Sequence, residues 1–330
     1  MNFFFKPRLD PHDVLSRAFS KIKVNGKNPA ILKLPYASSI AVNQYLNFPW
    51  FLLSHLILSF KAFLFLLKNR EKFLIIREFS NWIAVLNIPF FYFFKNRLLL
   101  NINHNIKNAR SSVPFPIKIL CFFGFKFIFF DGIFLKKTLL KKIGANFVFP
   151  FFPLDEKWKM QKKNKPSKNL TIGIVGDFRS EKISINKLLL VLDEINKSGL
   201  HLKIGLRSSG HDIPQWTKGF EVVLTNSQTD YRRFLSSLNA IIIFARRETY
   251  FSRHSGTVMD AIASNVIPIV PKFPVFCRQV FFPNLVGFTY DDLNDLLRIL
   301  TNNFPVELNR RAVSLTKYKM YRCNLQNLLI

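Results

Sequence analysis

The chain is poor in cysteine. Its three, Cys121, Cys277 and Cys323, stand far apart, which excludes a disulfide framework and a cysteine metal site, and a reducing, cytosolic compartment is expected. No GxGxxG and no GxxxxGK[ST] occurs, which argues against ordinary dinucleotide and P-loop chemistry. No acidic pair of the DxD type falls at an expected strand end, so there is no evident handle for a divalent ion; no metal and no cofactor is expected. The opening residues, MNFFFKPRLD, hold too short an apolar run for a signal peptide. Acidic residues are also few: 20 Asp and Glu against 48 Lys and Arg.

The resulting charge is +28, and residues 1–150, with 22 Lys and Arg against 5 acids, hold +17 of it. Such a field draws anionic partners: membrane surfaces, nucleic acid or phosphorylated substrates. Lys, Asn, Phe and Ile are abundant together, as an AT-rich coding sequence produces, so part of this charge needs no functional explanation. Phe is also in excess, at 38 residues. Residues 49–67 are nearly all apolar, interrupted by His55 and Lys61. That length is near the lower limit for a bilayer span and a central lysine is costly there, so a buried or half-buried helix is expected. Phe-rich patches at 90–94 and 122–130, interleaved with Lys95, Lys118 and Lys126, suit a surface lying on an anionic leaflet. Ordinary core packing explains many of these rings equally well.

The length suggests about two domains. Apolar runs alternate with helical stretches, which implies parallel α/β layering. In the first half, strands are expected at 30–34, 72–77, 97–102, within 119–130 and at 146–149. Helices are expected at 49–67, 80–93 and near 135–143. Residues 155–169 are polar and without period, a linker. Strands then recur at 170–175, 202–206, 221–224, 240–244 and 266–270. Helices are expected at 187–197 and 230–238, after Gly256, at 291–301 and through the tail. The expected division is a Rossmann-like domain at 1–154, the linker, a second Rossmann-like domain at 170–305 and a helical tail at 306–330 that crosses back to the first domain. Such halves place ligands in a cleft at the C-terminal ends of their strands.

The segment Arg253-His254-Ser255-Gly256-Thr257-Val258-Met259-Asp260 joins a basic loop to a Ser-Gly turn and a short helix. A helix N-terminus exposes unpaired N–H groups and the positive end of a dipole, so it seats an anion. Gly256 admits close approach, and Asp260, about one turn on, is placed to accept from a sugar hydroxyl. An exposed helix charge explains Asp260 as readily. Upstream, Gly176-Asp177-Phe178-Arg179-Ser180-Glu181-Lys182 follows a strand, and Arg179 and Lys182 could neutralise a diphosphate there, although a solvated surface loop reads the same way. Arg246, Arg247, Tyr250 and Arg253 follow another strand. His104, in Asn101-Ile102-Asn103-His104-Asn105, ends a strand of the first half; a hydrogen-bonding structural histidine is the plain alternative.

Together these residues resemble the GT-B glycosyltransferases, especially the retaining group that includes bacterial enzymes of surface polysaccharide synthesis. The resemblance is best across 170–290, through GDFRSEK and TDYRRFLSSLNAIIIFARRETYFSRHSGTVMDAIASNVIPIVP; PYASSIAVNQY, NINHN and GANFVFPFFP carry it in the first half. It implies that Arg179 and Lys182 hold the donor diphosphate. It also implies that Ser255 and Gly256 seat a phosphate, with Gly176, Tyr250, Arg253 and Thr257 around the donor. Asp260 would bind the ribose and His104 would face the donor sugar. Where the family often has two glutamates eight positions apart, this chain has Ser252 and Asp260; where a small residue usually ends the helix, it has Asn265. The expected activity is metal-independent, retaining transfer of a sugar from a nucleotide diphosphate to a glycan or lipid-linked acceptor. The expected location is the inner face of the cytoplasmic membrane, with an anionic membrane surface as a partner. Two other readings stay open: a basic nucleic-acid-binding protein, for which no recognised motif appears, and a catalytically degenerate GT-B scaffold.

Overall fold

The computed structural model describes residues 30–32, 47–76, 81–102, 113–130, 147–149, 170–176, 185–206, 215–250, 254–282, 284–302 and 304–328. The chain divides into two compact units, residues 1–152 with 329–330, and residues 153–328. Each is built on an all-parallel sheet with helical crossovers, the Rossmann-like α/β layering implied by the alternation of apolar runs. The expected helix at 135–143 and the expected linker at 155–169 lie outside the described residues.

The first unit carries β1 (Ala30–Leu32), β2 (Leu74–Ile76), β3 (Leu98–Asn101), β4 (Lys126–Phe130) and β5 (Phe147–Phe149), paired in that order. β2 and β3 are buried along their whole length, as continuous apolar runs in a parallel sheet must be. The described strands follow one another without reversal. The crossovers supply α1 (Asn47–Lys68), α2 (Asn81–Leu86), α3 (Ile88–Phe91) with a 3-10 turn at Tyr92–Phe94, and α4 (Phe115–Phe122). Right-handed crossovers between strands in unreversed order fall on one side of the sheet, and α2 touches both α1 and α4. Arg97 closes the end of α1 by donating to Asn69 O at 2.7 Å and Leu66 O at 3.1 Å, a cation at the negative end of the helix. The strand expected within 119–130 is β4, and the apolar run at 115–122 before it forms a helix. Pro116 stands in its first turn, where the missing N–H costs nothing.

Among the described residues no helix is long and apolar enough to cross a membrane. In α1, Ala62 and Leu66 are buried, while Leu56, Ile57, Phe60, Leu64 and Leu67 are exposed. The described side chains of α1 are thus those of a half-buried helix.

The second unit carries β6 (Thr171–Gly176), β7 (His201–Leu206), β8 (Glu221–Leu224), β9 (Ala240–Ile242), β10 (Ile267–Pro271) and β11 (Phe288–Tyr290). Their order, β11-β10-β9-β6-β7-β8, reverses between β6 and β9. Helix α5 (Ile185–Lys197) packs on β7 and against α10 (Leu293–Thr301). Helix α6 (Gln228–Ser236) shares an apolar cluster of Phe234, Leu235, Leu238, Ile241, Ala261 and Val266 with β9 and α8 (Gly256–Ala263). The short α7 (Arg247–Tyr250), α9 (Pro274–Phe281) and α11 (Phe304–Leu328) complete the unit. Helix α11 packs on α8, α10 and β10, burying Leu308, Leu315 and Tyr318. Asn239 aligns three strands at their starts. Its Oδ1 accepts from Thr171 N at 3.0 Å, its N–H donates to Thr171 O at 2.8 Å, and its carbonyl accepts from Ile267 N at 3.0 Å.

Two glycines let α6 and the residues beyond it lie close on the sheet. A Cβ at Gly173 would stand 2.1 Å from Leu238 Cδ1, and one at Gly205 would stand 2.9 Å from Phe234 Cε1. Gly173→Ala is expected to lower the unfolding free energy by about 1–3 kcal/mol in urea denaturation, the usual cost of overpacking. The double variant Gly173→Ala/Leu238→Ala is expected to lose less than the sum of the two single changes.

Candidate functional site

In a parallel sheet every strand ends on the same edge, and at a reversal of strand order the two flanking crossovers leave in opposite directions and open a crevice there. In the second unit the flanking strands are β6 and β9. β6 ends at Gly176, paired with Leu206, and the segment after β9 runs through α7 to the start of α8. The topology therefore brings Gly176 and the first turn of α8 to one sheet edge.

Ser255 is the N-cap of α8, with extended backbone (φ −100, ψ 119), and its Oγ accepts from Val258 N in a long contact of 3.4 Å. Ser255 is itself held by Gln279 of α9. Gln279 Oε1 accepts from Ser255 N at 3.2 Å, and Gln279 Nε2 donates to Ser255 O at 3.1 Å. Two of the four amides that a helix start leaves without intrahelical partners are thereby satisfied. Among the described residues nothing accepts from the other two, Gly256 and Thr257. A Cβ added at Gly256 would meet no atom within 4 Å, so packing within the unit does not require glycine at this position.

Asp260 lies one turn into α8 and is half-buried. Its Oδ2 accepts from Tyr231 Oη on α6 at 3.3 Å. Burial, and then the Asp260 charge, push the Tyr231 phenol well above the usual tyrosine value, while a hydrogen bond with Thr257 works the other way. Asp260 therefore joins α8 to α6. The helix ends in a left-handed cap at Asn265 (φ 61), with Val266 N donating to Ala261 O at 2.9 Å. Lys319 of α11 donates to Ala263 O at 2.7 Å and to Asn265 Oδ1 at 2.8 Å. Tyr250 turns its ring toward the buried Phe276 of α9, centroid to centroid 5.9 Å. Arg246 and Arg247 are exposed.

Of the residues singled out from the sequence, Gly176, Tyr250, Ser255, Gly256, Thr257 and Asp260 are described. His104, Arg179, Lys182, Ser252 and Arg253 lie outside the described residues. Sequence reasoning missed Gln279, Tyr231 and Lys319. Gln279 carried a signal: it is a polar residue on the same face of α9 as the buried Val275 and Phe276. Among the described residues no group of three His, Cys, Asp or Glu side chains could hold a metal ion. Burial pushes the Cys121 thiol up to about 11 and raises that of Cys277, so neither is a ready thiolate at neutral pH.

The helical layer of the first unit presents a second feature. Phe93 and Phe122 are 83% and 86% exposed, and Trp82, Leu86, Phe90, Tyr92 and Phe115 are exposed as well. Rings connect across the helices: Trp82 lies 6.4 Å from Phe115, Phe63 lies 5.8 Å from Phe90, and Tyr92 lies 6.1 Å from Phe123. Phe91, Phe125 and Phe127, from the same Phe-rich stretches, are core. The Lys95 ammonium sits 4.1 Å over the Tyr92 ring and donates to Phe123 O at 3.3 Å.

No protein-family model matches the chain, and no curated protein matches it in sequence. Its fold is shared with glycosyltransferases of the GT-B type. One is the GtfA/B complex, with a TM-score of 0.56 at 13% identity over 82% of this chain and 58% of that one. Another is the pneumococcal O-GlcNAc transferase GtfA, solved with UDP and GlcNAc (TM-score 0.53, 13% identity, 78% of this chain and 54% of that one). A third is the E. coli trehalose-6-phosphate protein bound with UDP-2-fluoro glucose (TM-score 0.59, 9% identity, 96% and 81%). The chain thus spans little more than half the length of the GtfA structures it matches.

A tyrosine whose pKa is raised on folding contributes stability that is complete below the unfolded value near 10. That stability is lost as pH rises, because the unfolded chain ionises first. Burial raises Tyr290 in the same way. Denaturation midpoints should therefore fall above about pH 10, and Tyr231→Phe should flatten that fall without abolishing it. At neutral pH the same variant should lose about 0.5–1.5 kcal/mol with the hydrogen bond.

Proposed function

We propose that the chain is a glycosyltransferase that moves a sugar from a nucleotide-diphosphate donor to a glycan or lipid-linked acceptor, without a metal and with retention. The observation that carries this reading is the first turn of α8. It offers the Gly256 and Thr257 amides at the positive end of a helix, in a segment leaving one of the two strands at which the sheet order reverses. Such amides suit a diphosphate, on which negative charge develops as the sugar departs. In sequence, Arg179 and Lys182 follow the other reversal strand, β6. In this reading those side chains stabilise the same leaving group, Asp260 accepts from the ribose while keeping its bond to Tyr231, and His104 faces the donor sugar. The fold neighbours support the reading by kind, since structures among them hold UDP or a UDP-sugar.

The aromatic surface of the first unit supports a place on the inner face of the cytoplasmic membrane. Exposed rings insert at the headgroup level, and the +17 of residues 1–150 favours anionic lipid.

A thermal-shift screen should show stabilisation by UDP or GDP and their sugars, with turnover on at least one donor. Arg179→Ala should reduce turnover about 10²–10³-fold, as loss of a donor to a developing oxyanion does. Gly256→Ala should fold as well as the wild type, because its Cβ meets nothing, yet bind nucleotide more weakly. Stabilisation by nucleotide without turnover on any donor would favour the degenerate scaffold. No response to any nucleotide, with tight and salt-dependent RNA binding, would favour the nucleic-acid reading.

For the membrane, the double variant Phe93→Glu/Phe122→Glu should no longer co-sediment with vesicles containing phosphatidylglycerol, while its response to nucleotide stays intact. Undiminished co-sedimentation would refute the assignment of this face.

A further inference from the structure

We propose that Gln279 is a positioning residue for the anion seat of α8 and that α11 sets its place through Tyr318. The inference rests on the donor reading of that seat. The Gln279 side chain is fully buried, at 0% exposure. Its carboxamide bonds both the N–H and the C=O of Ser255, as an adjacent strand would do. The N–H and C=O of Ser255 belong to the two peptide planes that flank its Cα, so the carboxamide fixes both. The second plane also carries the Gly256 N–H, so holding Ser255 O aims that amide and, through it, the start of the helix.

The clamp is supported from behind. Tyr318 of α11 is fully buried and donates its hydroxyl to Gln279 O at 2.5 Å. One residue later, Lys319 holds the other end of α8 through Ala263 O and Asn265. Two adjacent residues of α11 therefore brace the start of α8 through Gln279 and its end directly. Truncating Gln279 would strand the N–H of Ser255, itself buried, and leave its C=O only the long bond from Met259 N at 3.5 Å.

The test uses the full chain and two variants, Gln279→Leu and the milder Tyr318→Phe, with two readouts. The first is amide hydrogen exchange over residues 254–260 with no nucleotide present, which does not depend on the donor reading. The second is UDP and GDP affinity by calorimetry. Gln279→Leu is expected to speed exchange of these amides about tenfold or more, with β6 and β9 still protected. Nucleotide affinity is expected to fall about tenfold. Tyr318→Phe is expected to shift both in the same direction by a smaller factor, and it serves alone if Gln279→Leu does not fold. Unchanged local exchange overturns the clamp. Faster exchange with unchanged affinity overturns its role in positioning the seat. A wild type that binds neither UDP nor GDP overturns the donor reading, and the role of Gln279 toward a donor with it, while the exchange readout still decides whether the clamp exists.

Discussion

Parallel strand pairing is the constraint from which the second unit follows. A parallel ladder cannot be closed by tight turns, so each strand must return through a crossover to the starting edge of the sheet. All six strands from β6 to β11 therefore end on one edge, and every helix that follows a strand starts there. Among the described residues that edge gathers the segment from β8 to α6, the stretch between Ile242 and α7, and the starts of α8, α9 and α10. The core strands hold almost nothing polar. Asn239 aligns the opposite edge, where its side chain and backbone bond Thr171 and Ile267 and set β6, β9 and β10 level.

Helix α8 is only eight residues long, too short to be stable by itself in water. Its inner face, Val258, Met259, Ala261, Ile262 and Ala263, is buried, and apolar burial keeps it in place without fixing its rotation or axial position. Directional bonds do that. Gln279 holds the start, Tyr231 reaches Asp260 one turn on, and Lys319 holds the last carbonyl, Ala263 O. Each links α8 to a different helix, so the first turn is positioned relative to the whole unit rather than to its own loop. The residues that position this turn accordingly stand outside it.

Most of the strands were legible in the sequence because a strand buried on both faces is a short unbroken apolar run, as in LLL at 98–100 and AII at 240–242. The elements that escaped have identifiable reasons. FPIKILCF is as apolar as a strand, and only Pro116 marked it as a helix start. Helix α9 opens with Pro274 in the same way. β11 is three residues at the sheet margin, too short for any period to emerge. Within the site, Ser255, Gly256 and Asp260 were visible because a capping serine, a glycine and an acid at helical spacing form a local pattern. Gln279, Tyr231 and Lys319 act over 24, 29 and 54–56 positions, and no local pattern records a contact at that range. The left-handed cap at Asn265 was legible from residue type alone, since asparagine is among the few side chains that tolerate φ 61.

The two sheets differ in how they are wound, and the difference reaches the surface. Where strand order reverses, successive crossovers are dealt to opposite faces. In the described part of the first unit the order never turns back, so α1, α2, α3 and α4 accumulate as one layer. Rings separated by tens of residues, Phe60, Trp82, Phe93 and Phe122, consequently share a side. A reversing order would have split the same sequence into two smaller, ordinary patches. The breadth of this greasy flank is thus a product of winding rather than of any one segment.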